Sequence, residues 1–189
     1  IVALYRLTTV KTNRSNFMTK PIIEQGDVIA IMGKGLVSGL IASFTGPVSH
    51  VGIVTNYGTD YDTVLVTQAL KTVQTLTLTE TLANAKYGYI LHCNDLTVDE
   101  RLKIAIYALG QIGKAYPYSN LFYQALKQIT GNPKWTEYMD SDTANICSEL
   151  VAFSYLEIGR DFGISPRDCS PADILHYTLP LSNWLVQVA

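Results

Sequence analysis

The sequence predicts an α+β fold, with a meander of antiparallel strands in its first half and helices in its second. Three observations carry that expectation. Short β-branched and apolar runs separated by turn residues fill the stretch from Val28 to Cys93. After Thr97 the apolar residues switch to helical spacing. Helix starts in this second half carry capping residues, and glycines follow the helix ends.

The elements follow in order. Gly26-Asp27 opens a buried strand, Val28-Ile29-Ala30-Ile31-Met32. Gly33 to Phe44 has Leu36, Leu40, Ile41 and Phe44 at helical spacing, and Gly46-Pro47 stops it. Strands are expected at His50–Thr55 and Val64–Leu70, joined by the turn-rich Asn56-Tyr57-Gly58-Thr59-Asp60, and again at Val73–Leu78 and Tyr87–Cys93. Thr97-Val98-Asp99-Glu100 is a capping box, in which hydroxyl and carboxylate reciprocally satisfy orphan backbone donors. Behind it Val98, Leu102, Ala105, Leu109 and Ile112 line one face of a helix that ends at Gly113. Ser119–Thr130 reads as a second helix, closed by Gly131 and Pro133, and Asn145–Ile158 as a third, stopped by Gly159. Ser170-Pro171-Ala172-Asp173 starts a fourth, with Ser at the N-cap, Pro at the first helical position and an acid in the first turn. Trp184–Val188 adds an edge strand. No internal repeat or low-complexity linker divides the chain, so 1–189 is expected to be a single domain with residues 1–20 as a polar lead-in.

Composition bounds the function. The 189 residues are 48% hydrophobic and 16% charged, which excludes a disordered tail. Net charge is −2 and the basic residues are scattered, so no nucleic-acid partner is expected. A membrane surface stays open as a partner, although mean hydropathy, at +0.15, does not single one out. The apolar stretch from Gly35 to Gly58 contains Gly39, Gly46, Pro47 and several hydroxyl residues, which fits helix, turn and strand better than a membrane span. No secretory-type leader opens the sequence, which begins at Ile1, and compartment and oligomeric state are left open. Three cysteines, an odd number, do not make a disulfide framework. No CxxC or HExxH spacing occurs, so neither a metal nor another cofactor is expected.

Cys147 is the strongest chemical candidate. It falls at about the second position of the expected third helix, where free N–H groups and the macrodipole favour thiolate and can hold an oxyanion. The alternative is a buried free cysteine acting as a small hydrophobe. His50, at the head of His50-Val51-Gly52-Ile53-Val54, is the base that would take the thiol proton. Its alternative is a strand-edge histidine bonded to backbone. A third group normally fixes the imidazole tautomer, and Gln68, on the strand expected beside that of His50, has a carbonyl able to accept from the ring. An exposed strand glutamine is its alternative. His92, alternating with Tyr89 and Leu91, reads as solvent-facing; His176 lies within the fourth helix; Asp60 and Asp62 read as solvated turn residues. Tyr116 and Tyr118 can add a phenolic donor to the oxyanion or line a substrate cleft, a weak signal among twelve tyrosines.

These residues carry a resemblance. Gly26-Asp27-Val28-Ile29, then Thr45-Gly46-Pro47-Val48-Ser49-His50-Val51-Gly52-Ile53-Val54, then Cys147-Ser148-Glu149-Leu150-Val151 are similar to the circularly permuted branch of the NlpC-type papain-like hydrolases. The sequence resembles the bacterial YiiX-like group most, and lecithin retinol acyltransferase more distantly. In that branch His precedes Cys in the chain, the order found here, and the resemblance extends over roughly Gly26 to Ile174. It implies a papain-like core, with an antiparallel sheet or half-barrel carrying His packed against the Cys helix. It also implies a thioester acyl-enzyme acting on a peptide or acyl substrate. The catalytic position that aligns with Gln68 is commonly Glu in that group, and Pro117 follows Tyr116 where relatives often have Asp. The implied function is cleavage of an amide bond in a cell-wall peptide, peptide or isopeptide. The alternatives are a lipid acyl hydrolase or acyltransferase, and a non-catalytic module that retains the fold.

Overall fold

The first strand is apolar on both of its faces because it lies inside a sheet that is covered on both sides. In the computed structural model, residues 21–34, 46–70, 72–114 and 147–189 are described. Six strands, β1 (Val28–Gly33), β2 (His50–Asn56), β3 (Leu65–Ala69), β4 (Val73–Thr77), β5 (Ala85–Cys93) and β6 (Trp184–Val188), form one antiparallel sheet in the order β4-β3-β2-β1-β5-β6. Val28, Ala30, Val51, Ile53 and Leu91 belong to one core on one face. Ile29, Ile31, Val54, Val66 and Ile90 belong to a second core on the other, as the two-residue period of a strand requires. Trp184–Val188 takes the edge position expected of it, against β5.

Helices follow on the two faces. α1 (Leu78–Ala83) belongs with the second core through Leu78 and Leu82. α2 (Val98–Gly110), α3 (Cys147–Leu156) and α4 (Pro171–Thr178) belong with the first through Ile104, Leu150, Val151 and Ile174. The expected caps form: Thr97 with Glu100 and Ser170 with Asp173 each make a reciprocal capping box. Gly159, at φ +74°, supplies the left-handed residue after α3.

Two local expectations need correction. The strand expected over Val73–Leu78 ends at Thr77, because Thr77 caps α1 through a third capping box with Glu80. The face of α2 that turns inward is also not the one made by Val98, Leu102, Leu109 and Ile112. Those four are exposed, and Arg101, Ile104, Ala105 and Ala108 are buried instead, only Ala105 being common to both sets. A buried arginine decides this orientation. The helices expected over Gly33–Phe44 and Ser119–Thr130 fall largely or wholly outside the described residues, as do Asn145 and Ile146 before α3.

Arg101 is buried because Asp27 is. The Asp27 carboxylate is 0% exposed and accepts from Arg101 Nη1 at 2.9 Å and from the Glu24 N–H at 2.8 Å. His92 Nδ1 lies 3.0 Å from both of its oxygens. His92 is therefore buried in an ion-pair cluster and does not face solvent. Arg101 also donates to the carbonyls of Gln25 and Cys93 and pairs with Glu24. On the backbone, Gly26 N–H donates to Val54 O, Val54 N–H donates to Asp27 O, and the Tyr155 hydroxyl donates to Gly26 O, each within 2.8 Å. Gly26 has φ +87°, and a Cβ there would meet the Arg101 backbone at 3.3 Å. The Gly-Asp pair thus joins β1, β2, β5, α2 and α3 at one corner.

Removing one member of such a cluster leaves a buried charge without its partner. Asp27→Ala is expected to lower unfolding free energy by about 3–5 kcal/mol in urea titrations. A change below about 1 kcal/mol would contradict this account of the corner.

Candidate active site

His50 opens β2 at the rim of the sheet, between α1 on one face and α3 on the other. The antiparallel register, with Ile53 opposite Thr67, brings Gly52 beside Gln68. A Cβ at Gly52 would stand 2.8 Å from Val66 Cγ1, 3.1 Å from Gln68 Cβ and 3.2 Å from the Thr67 carbonyl oxygen. The missing side chain is what lets Gln68 lean across to its diagonal neighbour. His50 Nε2 lies 2.7 Å from Gln68 Oε1. Gln68 is 2% exposed, a buried glutamine rather than a surface one. Its amide nitrogen donates to Thr81 Oγ1 on α1 at 2.8 Å, and Thr81 Oγ1 donates to the Thr77 carbonyl at 2.9 Å. Before the strand, the Tyr87 hydroxyl donates to Pro47 O at 2.7 Å and fixes the turn that delivers His50.

From the opposite face α3 presents Cys147, which is 2% exposed and hydrogen-bonded to the His50 side chain. With Nε2 engaged by Gln68, Nδ1 is the ring nitrogen left for the thiol. Ser148, the next residue, is fully buried and donates to the Cys169 carbonyl at 2.5 Å, tying the first turn of α3 to the segment that leads into α4. The three residues read from the sequence as catalytic candidates therefore form one hydrogen-bonded row, Cys147–His50–Gln68.

The electrostatics follow from this contact. Burial by itself pushes the Cys147 thiol up, but the charge and hydrogen bond of His50, with the N–H groups of Val51 and Ser148, outweigh it and hold the thiol below its ordinary value. Burial likewise pushes His50 down, and the Cys147 charge and hydrogen bond together with the Gln68 hydrogen bond reverse that, so its pKa is raised. Both shifts favour a thiolate–imidazolium pair. The other two thiols behave oppositely. Cys169 is pushed up to about 12 by burial, then by Asp173, Cys147 and Glu149. Cys93 is pushed up to about 12 by burial, then by its hydrogen bond to Asp95. All three cysteines are free.

The remaining candidates separate cleanly. Tyr116 and Tyr118 lie outside the described residues. His92 belongs to the Asp27 cluster, His176 is exposed on α4, and Asp60 and Asp62 lie exposed in the β2–β3 turn. Thr81 is the contributor that strand and motif reading passed over. Its signal was the Thr77-Leu78-Thr79-Glu80 capping box, which places Thr81 in the first turn of a helix beside the Gln68 strand.

Two measurements test this geometry. With a small thiol reagent near neutral pH, peptide mapping is expected to find Cys147 modified and Cys93 and Cys169 unmodified until the protein unfolds. Modification of all three at similar rates would rule out an activated Cys147. Gly52→Ala is expected to cost about 1–3 kcal/mol by overpacking and to slow modification of Cys147 by displacing Gln68. Unchanged stability and reactivity would show that Gly52 makes no room for the row.

The chain superimposes on the crystal structure of the metalloprotein yiiX from Escherichia coli O157:H7 with a TM-score of 0.64, at 18% identity, covering 87% of this chain and 96% of that one. At that identity the likeness speaks for the fold. No curated protein matches the chain in a sequence search. The profile of the family described as permuted papain-like amidase enzyme, YaeF/YiiX, C92 family, matches residues 22–163, which include β2 and all of α3. With His50 on an early strand and Cys147 on a later helix, a six-stranded antiparallel sheet against helices, and this match, the chain belongs to the permuted papain-like amidases of the YaeF/YiiX, C92 family.

Proposed function

We propose that the protein cleaves an amide bond through a thioester formed on Cys147. The observation that carries this reading is the hydrogen-bonded row Cys147–His50–Gln68, together with family membership. His50 Nδ1 takes the thiol proton, and the thiolate sulfur attacks the substrate carbonyl carbon. Backbone N–H groups at the start of α3 stabilise the oxyanion, with Tyr116 as a further donor. His50 then gives its proton to the departing amine, and water, activated by the same ring, releases the acid and restores the thiol. Gln68 holds the ring and accepts from Nε2 throughout. The substrate class proposed is a cell-wall peptide, another peptide or an isopeptide. Among the described residues no group of three or more His, Cys, Asp or Glu is placed to hold a metal ion, and no step above uses one.

A second reading, a lipid acyl hydrolase or acyltransferase, is favoured by one observation. Val98, Leu102, Ile106, Leu109 and Ile112 present an exposed apolar stripe along α2 and just beyond it. No described helix is long and apolar enough to cross a membrane, so this stripe would act at a surface. Matched amide and ester substrates separate the two readings.

Cys147→Ala and His50→Ala are each expected to reduce turnover by about four decades or more, and the double variant by little further. Activity is expected to be bell-shaped in pH. The acid limb marks loss of the Cys147 thiolate and falls below the thiol's ordinary 9.0; the alkaline limb marks loss of the His50 proton and falls above 6.5. Both limbs belong to the coupled pair. Full activity in Cys147→Ala would overturn the proposal.

A further inference from the structure

We infer that Thr81 is a positioning residue that fixes which end of the Gln68 amide faces His50. The inference rests on the reading of Cys147 and His50 as a catalytic pair. A glutamine, unlike a glutamate, has two different ends: its oxygen accepts and its nitrogen donates. Only the oxygen can receive the Nε2 proton of His50. If the amide were reversed, its N–H group would point at Nε2 and oppose an imidazolium. The neutral ring would then carry its proton on Nδ1, facing the thiol with a donor instead of an acceptor.

Nothing in Gln68 itself selects between these orientations. Thr81 does. Its hydroxyl proton goes to the Thr77 carbonyl at 2.9 Å, an acceptor that cannot reciprocate. What Thr81 Oγ1 offers Gln68 at 2.8 Å is therefore a lone pair, which only the amide nitrogen can use. With the nitrogen held there, the oxygen is turned to His50 Nε2 at 2.7 Å. The polarity runs in one direction from the end of a backbone carbonyl: Thr77 O, Thr81 hydroxyl, Gln68 amide, His50 ring, Cys147 sulfur. Thr81 is 5% exposed and Gln68 2%, so water is poorly placed to substitute for the hydroxyl. In the reversed state the amide oxygen would confront an oxygen with no proton to share, a buried mismatch.

The charged surroundings are simple. Among the described residues, Cys147, from α3, is the titratable group whose charge acts on His50. Cys169 and Glu149 stand beyond Cys147, and Glu80, beside Thr81, is exposed and occupied at the cap of α1. Among the described residues, the hydrogen-bonded route from residue 81 to the thiol runs through Gln68 and His50.

The test is the pH dependence of Cys147 alkylation by iodoacetamide in the full chain, with nitrogen NMR of the His50 ring. Thr81→Val keeps the shape of the side chain and removes the lone pair. It is expected to slow alkylation at neutral pH by about 5- to 150-fold, the factor that one buried unsatisfied hydrogen-bonding group produces. The onset is expected to move up towards the ordinary thiol range, with loss of the Nε2-protonated ring signal. Thr81→Ser is expected to restore both. In Gln68→Glu, whose two oxygens both accept, Thr81→Val is expected to leave the pH profile in place, a coupling that a merely structural role would not produce. If wild-type Cys147 is activated but Thr81→Val leaves profile and ring signal unchanged in a folded protein, the Thr81 inference fails alone. If wild-type Cys147 is not activated, the catalytic reading itself fails. Should Thr81→Val not fold, the comparison of Thr81→Ser and Thr81→Ala serves: equal profiles would overturn the inference.

Discussion

The constraint on which the structure depends is a buried carboxylate, that of Asp27, facing the guanidinium of Arg101. Neither charge is tolerable in the core without the other, and each is further satisfied by hydrogen bonds from or to backbone. The pair ties α2 to β5 and to the lead-in of β1, and with Gly26 beside it the same corner also reaches β2 and α3. It settles the rotation of α2, whose arginine has to point inward. It also seats Tyr155 of α3 on Gly26 O, which holds the Cys147 helix against β2 from the far end.

That placement matters because the catalytic candidates sit on opposite faces of one sheet edge. Gln68 is approached from the α1 side and Cys147 from the α3 side, and His50, at the first position of β2, touches both. A one-residue slip of β2 against β3 would turn Gln68 away. Gly52 therefore serves the site through register: its bare backbone makes room for the neighbour strand where a side chain would hold it off.

Much of this was legible in the sequence, and the rest was hidden for physical reasons. The strands before Cys93 and the caps at Thr97 and Ser170 are local patterns, and local patterns carry over directly. The His50–Cys147 pair, almost one hundred residues apart in the chain, was legible through the family resemblance of the residues around each, and Gln68 because it falls on a neighbouring strand. His92 misled because strand alternation with Tyr89 and Leu91 suggested a solvent face, and the apolar stripe of α2 misled because Arg101 is held inside, each through Asp27. Thr81 was passed over for another reason. The alternation through Val73–Thr77 looks like strand up to the residue where a cap begins, and short helices leave little periodicity to read.

The neutral amide at residue 68 has one more consequence. Thiol, imidazole, glutamine and threonine together sum to zero charge, and so do thiolate, imidazolium, glutamine and threonine. A proton passing between sulfur and ring therefore creates a dipole without changing the net charge of the row, whereas a carboxylate in that place would leave a standing negative charge. A buried centre of this kind has no monopole for mobile ions to screen, and it presents none to repel an anionic group arriving beside it. An amide at residue 68 leaves the row of four side chains without net charge in either protonation state.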